Sequence, residues 1–352
     1  MKVLARREPL LVRPGARFDC VGDGLCCSDI HAVGALSEDD CEMLALISED
    51  AIDRHNSEDA AVMMMRSDTG RCVFWSEQGC AIHSQLGSDM KPSPCIQFPY
   101  ALTATPIGGR ISTQHRCTCR TLGTLPPVTA DAARPCIVDA NGELKPEHAV
   151  LDEVAWSATE TVSFAEYAER EAGLLAALVE GKNLTTVLQA DPFPELDGMT
   201  WSAVADELLE FQGPSRAATA SRWFAEAIAF LVDRRERTEK TRPWADAFER
   251  AAKRVVDPVS PNRVFGDWLA DELWSMRWTH YGSLARARTE WATRLAIARR
   301  IAGWLDISTP LNDNVSAAEA VMIVDVIGTT DPWEKVQSAI REPGDMPPKR
   351  RH

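Results

Sequence analysis

The sequence predicts an α+β fold: a small cysteine-rich, metal-binding N-terminal domain followed by an all-α helical domain. Three observations predict it. All ten cysteines of the 352-residue chain lie between Cys20 and Cys136. Helical periodicity sets in only from about Thr161. Between the two, Pro126, Pro127 and Pro135 punctuate a stretch from Thr124 to Asp139 with little periodicity, as a connector would. A chain of this length holds about two domains. The expected boundaries are 1–137 for the cysteine domain, 138–160 for a linker, 161–340 for the helices and 341–352 for a disordered tail. The tail from Pro343 to His352 is proline-rich and basic, a composition that buries too little apolar surface to fold.

Taken in order, Leu4 to Arg17 reads as an extended entry broken by Pro9, Pro14 and Gly15. Ser37-Glu38-Asp39-Asp40 starts a helix, with Ser37 as cap and the carboxylates in the positive first turn. Met63 to Arg66 and Cys72 to Trp75 read as short strands, each followed by a turn. Tyr100 to Thr105 and Arg110 to Thr113, joined by Pro106-Ile107-Gly108-Gly109, read as a hairpin. Further on, Ser163 to Glu166 and Ser316 to Glu319 match capping boxes. Phe224, Ile228 and Leu231 share one helical face, as do Trp291, Leu295, Ala298, Ala302 and Leu305, opposite Arg286, Glu290 and Arg300. Breaks at Gly213-Pro214, Asp257-Pro258 and Thr309-Pro310 divide the segment into six helices. The charged run Asp233 to Lys240 is expected as a solvated helix end. Ten of the eleven tryptophans lie at or beyond Trp156, which points to core packing. The sharper alternative is an aromatic groove around Trp268, Trp274 and Trp278.

The net charge of −14 leaves neither half with a basic surplus, so a nucleic-acid partner is not expected. Met1 to Glu8 carries charge and no apolar run of signal-peptide length. No stretch approaches the roughly 18 apolar residues of a membrane span, so no membrane partner is expected. The expected compartment is the cytoplasm, where structural disulfides are rare. That leaves metal ligation or redox chemistry to explain the confined cysteines.

The spacing is not that of an ordinary zinc knuckle, because the chain has no C-x2-C pair. Ferredoxin-type spacings are missing too. Cys26 and Cys27 are adjacent; their side chains diverge in an extended backbone and share one ion only in a tight turn. Gly22-Asp23-Gly24 and Gly181-Lys182-Asn183 are fragments of phosphate loops and lack the remaining residues.

The cysteine stretch resembles the YkgJ-like cysteine-cluster family, a zinc- or iron-chelating domain. That family carries C-x2-C-x2-C-C, then a cysteine strand, a C-x-I-[YH] element and an R-P-x2-C-R-x-F-P element. Cys20, Cys26 and Cys27 match the first; Cys72 to Trp75 the second; Cys80, Ile82 and His83 the third; Pro92, Cys95, Phe98 and Pro99 the fourth. The likeness covers Phe18 to Cys119. Asp23 stands where the second cysteine would be, Lys91 replaces the first arginine and Ile96 the second. The candidate ligands are Cys20, Cys26, Cys27, Cys80 and Cys95, with Cys72, Cys117 and Asp23 behind them; Cys41 and Cys136 are expected bystanders, and His115 is a further candidate. The resemblance implies zinc or iron, including an iron–sulfur cluster. The adjacent pair and the Asp23 carboxylate favour iron. The same domain occurs in flagellin lysine N-methylases, so one alternative is a metal-dependent enzyme that modifies a protein or peptide. The other is a structural-zinc module whose helices bind a protein or peptide partner.

Overall fold

The structure, a computed structural model, describes residues 4–20, 22–31, 34–54, 61–122, 125–139, 141–211, 213–255, 257–308 and 313–342. It is α+β. In chain order the strands are β1 (Leu10–Val12), β2 (Ile52–Asp53), β3 (Val62–Met63), β4 (Trp75–Ser76), β5 (Gly79–Cys80), β6 (Tyr100–Thr105), β7 (Gly108–Thr113), β8 (His148–Ala149), β9 (Glu153–Ala155) and β10 (Thr161–Ser163). Five short helices lie among them: α1 (Glu38–Ile47), α2 (Ala81–Leu86), α3 (Ser93–Gln97), α4 (Thr118–Thr121) and α5 (Ala130–Ala133). Nine more follow among the described residues: α6 (Phe164–Val179), α7 (Leu184–Leu188), α8 (Trp201–Leu209), α9 (Arg216–Asp233), α10 (Ala245–Ala252), α11 (Pro261–Ser275), α12 (Leu284–Ser308), α13 (Asp313–Ile327) and α14 (Asp331–Ala339). No described helix is long and apolar enough to cross a membrane.

The predicted hairpin is the centre of the only four-stranded sheet described, in the order β1-β7-β6-β8. Its two faces differ because alternate residues point opposite ways. Leu102 and Ile111, paired across the hairpin, pack with Val128, Ala133 and Ile137. Their neighbours Thr103 and Arg110, also paired, turn to the helices. Thr103 donates to the Ser275 carbonyl at 2.7 Å, and Arg110 grips Glu171 with two bonds of 2.7 Å. Both strands are buried throughout, sandwiched between α11 and the segment around α5.

Local rules explain most helix starts. The Ser37 hydroxyl caps α1 in a capping box closed by Asp40, and the Ser163 hydroxyl accepts from the Glu166 amide. Ser316 and Glu319 do not form the expected box. Helix α13 already begins at Asp313, Ser316 is fully buried, and Glu319 turns inward to Arg242 at 2.7 Å. On the polar face expected of α12, Glu290 is buried, 2% exposed, and pairs with Arg294. After Asp233 the charged run leaves the helix, and Arg237 stacks on Trp223 and Trp304 instead of standing free in solvent. The break at Thr309-Pro310 and the tail from Pro343 lie outside the described residues.

Two expectations about organisation change. The strands expected at Met63–Arg66 and Cys72–Trp75 shrink to two-residue pairs plus a Met65–Cys72 bridge, because the chain turns at Val73-Phe74. The segment expected as a linker contains β8 and β9. Val150, Val154 and Val162 bury against the helices, and β8 pairs with β6. The helical core also reaches back across that segment: Leu25, Ile30 and Leu122 belong to the same apolar cluster as Trp223, Trp268 and Trp333.

Candidate metal centre

A turn built by two glycines sets the geometry of the thiols. Gly22 and Gly24 both have φ of 72°, a left-handed conformation that favours glycine. A Cβ at Gly24 would stand 1.9 Å from Trp75 Nε1, so no side chain fits there. Between them, Asp23 Oδ1 accepts the Leu25 amide at 2.8 Å. Its Oδ2 accepts the Thr118 hydroxyl and, at 3.0 Å, the Cys119 thiol. Arg71 donates to the Gly24 carbonyl at 2.7 Å and lies over the Trp75 ring at 4.4 Å. The chain then enters a 3-10 turn, Leu25–Cys27, in which the Cys26 and Cys27 sulfurs are 4.0 Å apart.

Four segments converge on this turn. The Cys72 amide donates to the Cys27 carbonyl at 2.9 Å, which fixes those two residues side by side. Trp75, whose amide bonds the Cys72 carbonyl, pairs with Cys80 across β4 and β5. Cys72, Cys80 and Cys95 pack against one small apolar cluster with Leu36, Leu44 and Ile82. On the other side of the turn, Cys20, Cys117 and Cys119 hydrogen-bond in series, next to Asp23. The adjacent pair joins the two sets: Cys26 senses Cys117, whereas Cys72 and Cys95 sense Cys27.

The thiols differ in how readily they would give up a proton. Cys27 is held below the usual thiol range, first by its hydrogen bond with Cys26 and then by the Lys91 charge. Cys26 is pushed up by the same bond and by burial. Burial raises Cys72 to about 11 and Cys95 to about 12, and in both cases the nearby Cys27 adds to the shift. Cys20 is raised first by its hydrogen bond to Cys119, and Cys119 first by its bond to Cys117.

The structure thus brings Cys20, Cys26, Cys27, Cys72, Cys80, Cys95 and Cys117 into one neighbourhood. Asp23 is there as well, but both its oxygens already accept hydrogen bonds. Cys119 belongs with them and was not among the sequence candidates, although Cys117-x-Cys119 stands in the sequence as a pair. Cys41, within α1, packs in the same small apolar cluster as Cys72, Cys80 and Cys95, and Cys136 packs beside the β6–β7 hairpin. His115 is not brought to the thiols: its Nε2 lies 2.8 Å from Asp271 Oδ2. Among the described residues, no three His, Cys, Asp or Glu side chains already stand as the ligands of one ion. Nor does any described pair of cysteines form a disulfide.

His115 instead joins a buried ionic network. Arg13 and Arg120 both bridge Asp267 and Asp271, with Arg13 Nε and Arg120 Nη2 each 2.6 Å from Asp271. Thr113 donates to Asp271 at 2.8 Å and accepts from Arg120 at 2.6 Å. This network ties β1, β7 and α4 to α11. Against the opposing effect of burial, the charges of Arg13 and Arg120 and the hydrogen bond with His115 hold Asp271 well below the usual carboxylate range. No protein-family model, curated protein or solved structure matches the chain.

Proposed function

We propose that the protein binds a thiophilic metal, zinc or iron, at the junction of these thiols, the function that its resemblance to YkgJ-like proteins implies. The observation that carries the reading is the Cys26–Cys27 turn. A tetrahedral site with metal–sulfur bonds of about 2.3 Å has sulfur–sulfur edges of about 3.8 Å, and these two sulfurs are 4.0 Å apart. The tight turn removes the objection that adjacent cysteines diverge. Further sulfurs from either set would complete the shell, and a metal that draws them together is coupled to folding of the segments it joins.

Asp23 serves in this reading as the residue that orients the turn, through the Leu25 amide and the Thr118 hydroxyl. The proposed shell is therefore sulfur, which suits zinc and an iron–sulfur cluster alike. Cys27, with its lowered pKa, sits where both sets meet.

The test is elemental analysis with an absorption spectrum, on full-length protein purified anaerobically without chelators. Stoichiometric zinc or iron that falls in Cys26→Ala and Cys27→Ala and persists in Cys41→Ala is expected. Wild-type protein that holds neither metal, even after reconstitution with each, would overturn the proposal.

A further inference from the structure

Between the β6–β7 sheet and helices α11 to α14 lies a cavity that the thiol cluster does not use. Most charges along its wall are compensated within the protein. Asp271 has Arg13 and Arg120, Glu272 and Glu290 share Arg294, and Arg286 faces Glu342. Of the remaining charged wall residues, exposed Glu334 is engaged by Tyr281. Arg277 and Asp325, of opposite charge, have no direct ion pair among the described residues and are balanced only at longer range, Arg277 by Glu147 and Glu272 and Asp325 by Arg116. Arg277, half-buried, makes no side-chain hydrogen bond or ion pair among the described residues. Asp325 is 6% exposed, and its one described hydrogen bond is from the backbone amide of His115 at 2.8 Å. The two do not pair with each other.

The wall holds two further unmet groups. His115 Nδ1 and Trp268 Nε1 have no hydrogen-bond partner, although each residue is only 1% exposed. Buried polar atoms without a partner are rare and call for an explanation. A cationic ligand would leave Arg277 without a direct partner, an anionic one would leave Asp325 with only the His115 amide, and an apolar ligand would leave both so. Trp278 and Tyr281 give the same cavity aromatic surface, the usual combination of apolar wall and few polar anchors in a small-molecule site.

We propose that this cavity binds a small zwitterion of the amino-acid type, its carboxylate held by Arg277, its ammonium by Asp325, and its side chain against Trp278 and Tyr281. The site is independent of the metal reading, since none of its residues is a proposed ligand. Isothermal titration of the full chain with each of the common amino acids, and with n-butylamine and butyrate as singly charged controls, tests it. At least one amino acid is expected to bind, with both controls weaker by about tenfold or more, the scale of one hydrogen bond to a charged group. Arg277→Met removes an unpaired, half-exposed group, and Asp325→Asn keeps an acceptor for the His115 amide; each is expected to weaken binding by about tenfold or more while leaving the thermal midpoint nearly unchanged. No heat from any amino acid, controls that bind as tightly, or wild-type affinity in Arg277→Met would each overturn the proposal.

Discussion

Residues 113–121 are bordered by two polar clusters of opposite construction. On one side, Arg13 and Arg120 share Asp267 and Asp271, with Thr113 and His115 filling the remaining positions around Asp271. Every charge there finds its opposite within the chain. On the other side, Cys117 and Cys119 meet Cys20 and Asp23, and the sulfurs hydrogen-bond chiefly to one another. The surroundings differ as well. The ionic network is seated on α11, in the large tryptophan-rich core, whereas Cys72, Cys80 and Cys95 pack on a cluster of only a few buried side chains. The first cluster pairs its arginines and aspartates as folded and acts as a structural clasp. The second gathers soft donors, which under the proposed reading a bound metal would fix in their final geometry, coupling the site to folding.

That contrast can be broken most forcefully at the clasp. Asp271→Ala would strand Arg13 and Arg120 in a buried site and is expected to cost about 3–5 kcal/mol in urea unfolding. A loss under about 1 kcal/mol, the scale of an exposed pair, would show the network to be dispensable. At the thiol turn, Gly24→Ala drives a methyl group into Trp75 and is expected to cost about 1–3 kcal/mol. It should also lower metal content, because the turn that holds Cys26 beside Cys27 is displaced. A variant as stable as wild type with unchanged metal would mean that the turn is not constrained as described.

The smallest effect concerns pH. Burial, with His280 and Arg277 nearby, lowers His148 to about 4 from its ordinary 6.5. Between those values the unfolded chain binds more protons than the folded one, so stability contributed by neutral His148 is complete above pH 6.5 and is lost as pH falls toward 4. Its imidazole is partly exposed, so the expected change is modest. His148→Gln should flatten the dependence of thermal midpoint on pH across that window; an unchanged slope would remove His148 as a contributor.

Local signals in the sequence carried the parts of this structure that depend on neighbouring residues. Ser37 and Ser163 mark their helix starts because capping is a matter of three or four residues. The hairpin at Tyr100–Thr113 is legible because its turn residues sit between two β-prone runs. The failures are of longer range. Ser316 and Glu319 have the spacing of a capping box, but α13 starts earlier and Glu319 is claimed by Arg242. Glu290 reads as part of the polar face of its helix and is buried, since Arg294 neutralises it. Val150 and Val154 look like a connector's residues until the helices they cover are present. At the site, the cysteines were visible as a group, yet the sequence could not show that the 3-10 turn brings Cys26 and Cys27 together. Cys119 was passed over because its hydrogen bond to Asp23 spans almost a hundred residues. Arg277 and Asp325 carry no motif at all; only the cavity makes them notable.

The central claim is that sulfur from the Cys26–Cys27 junction ligates the metal. X-ray absorption at the edge of the bound metal, on wild-type protein and Cys26→Ala, tests it most directly. The account predicts a first shell of sulfur at about 2.3 Å, with fewer sulfurs in the variant. A shell of nitrogen or oxygen at about 2.0–2.2 Å, unchanged by the substitution, would contradict it.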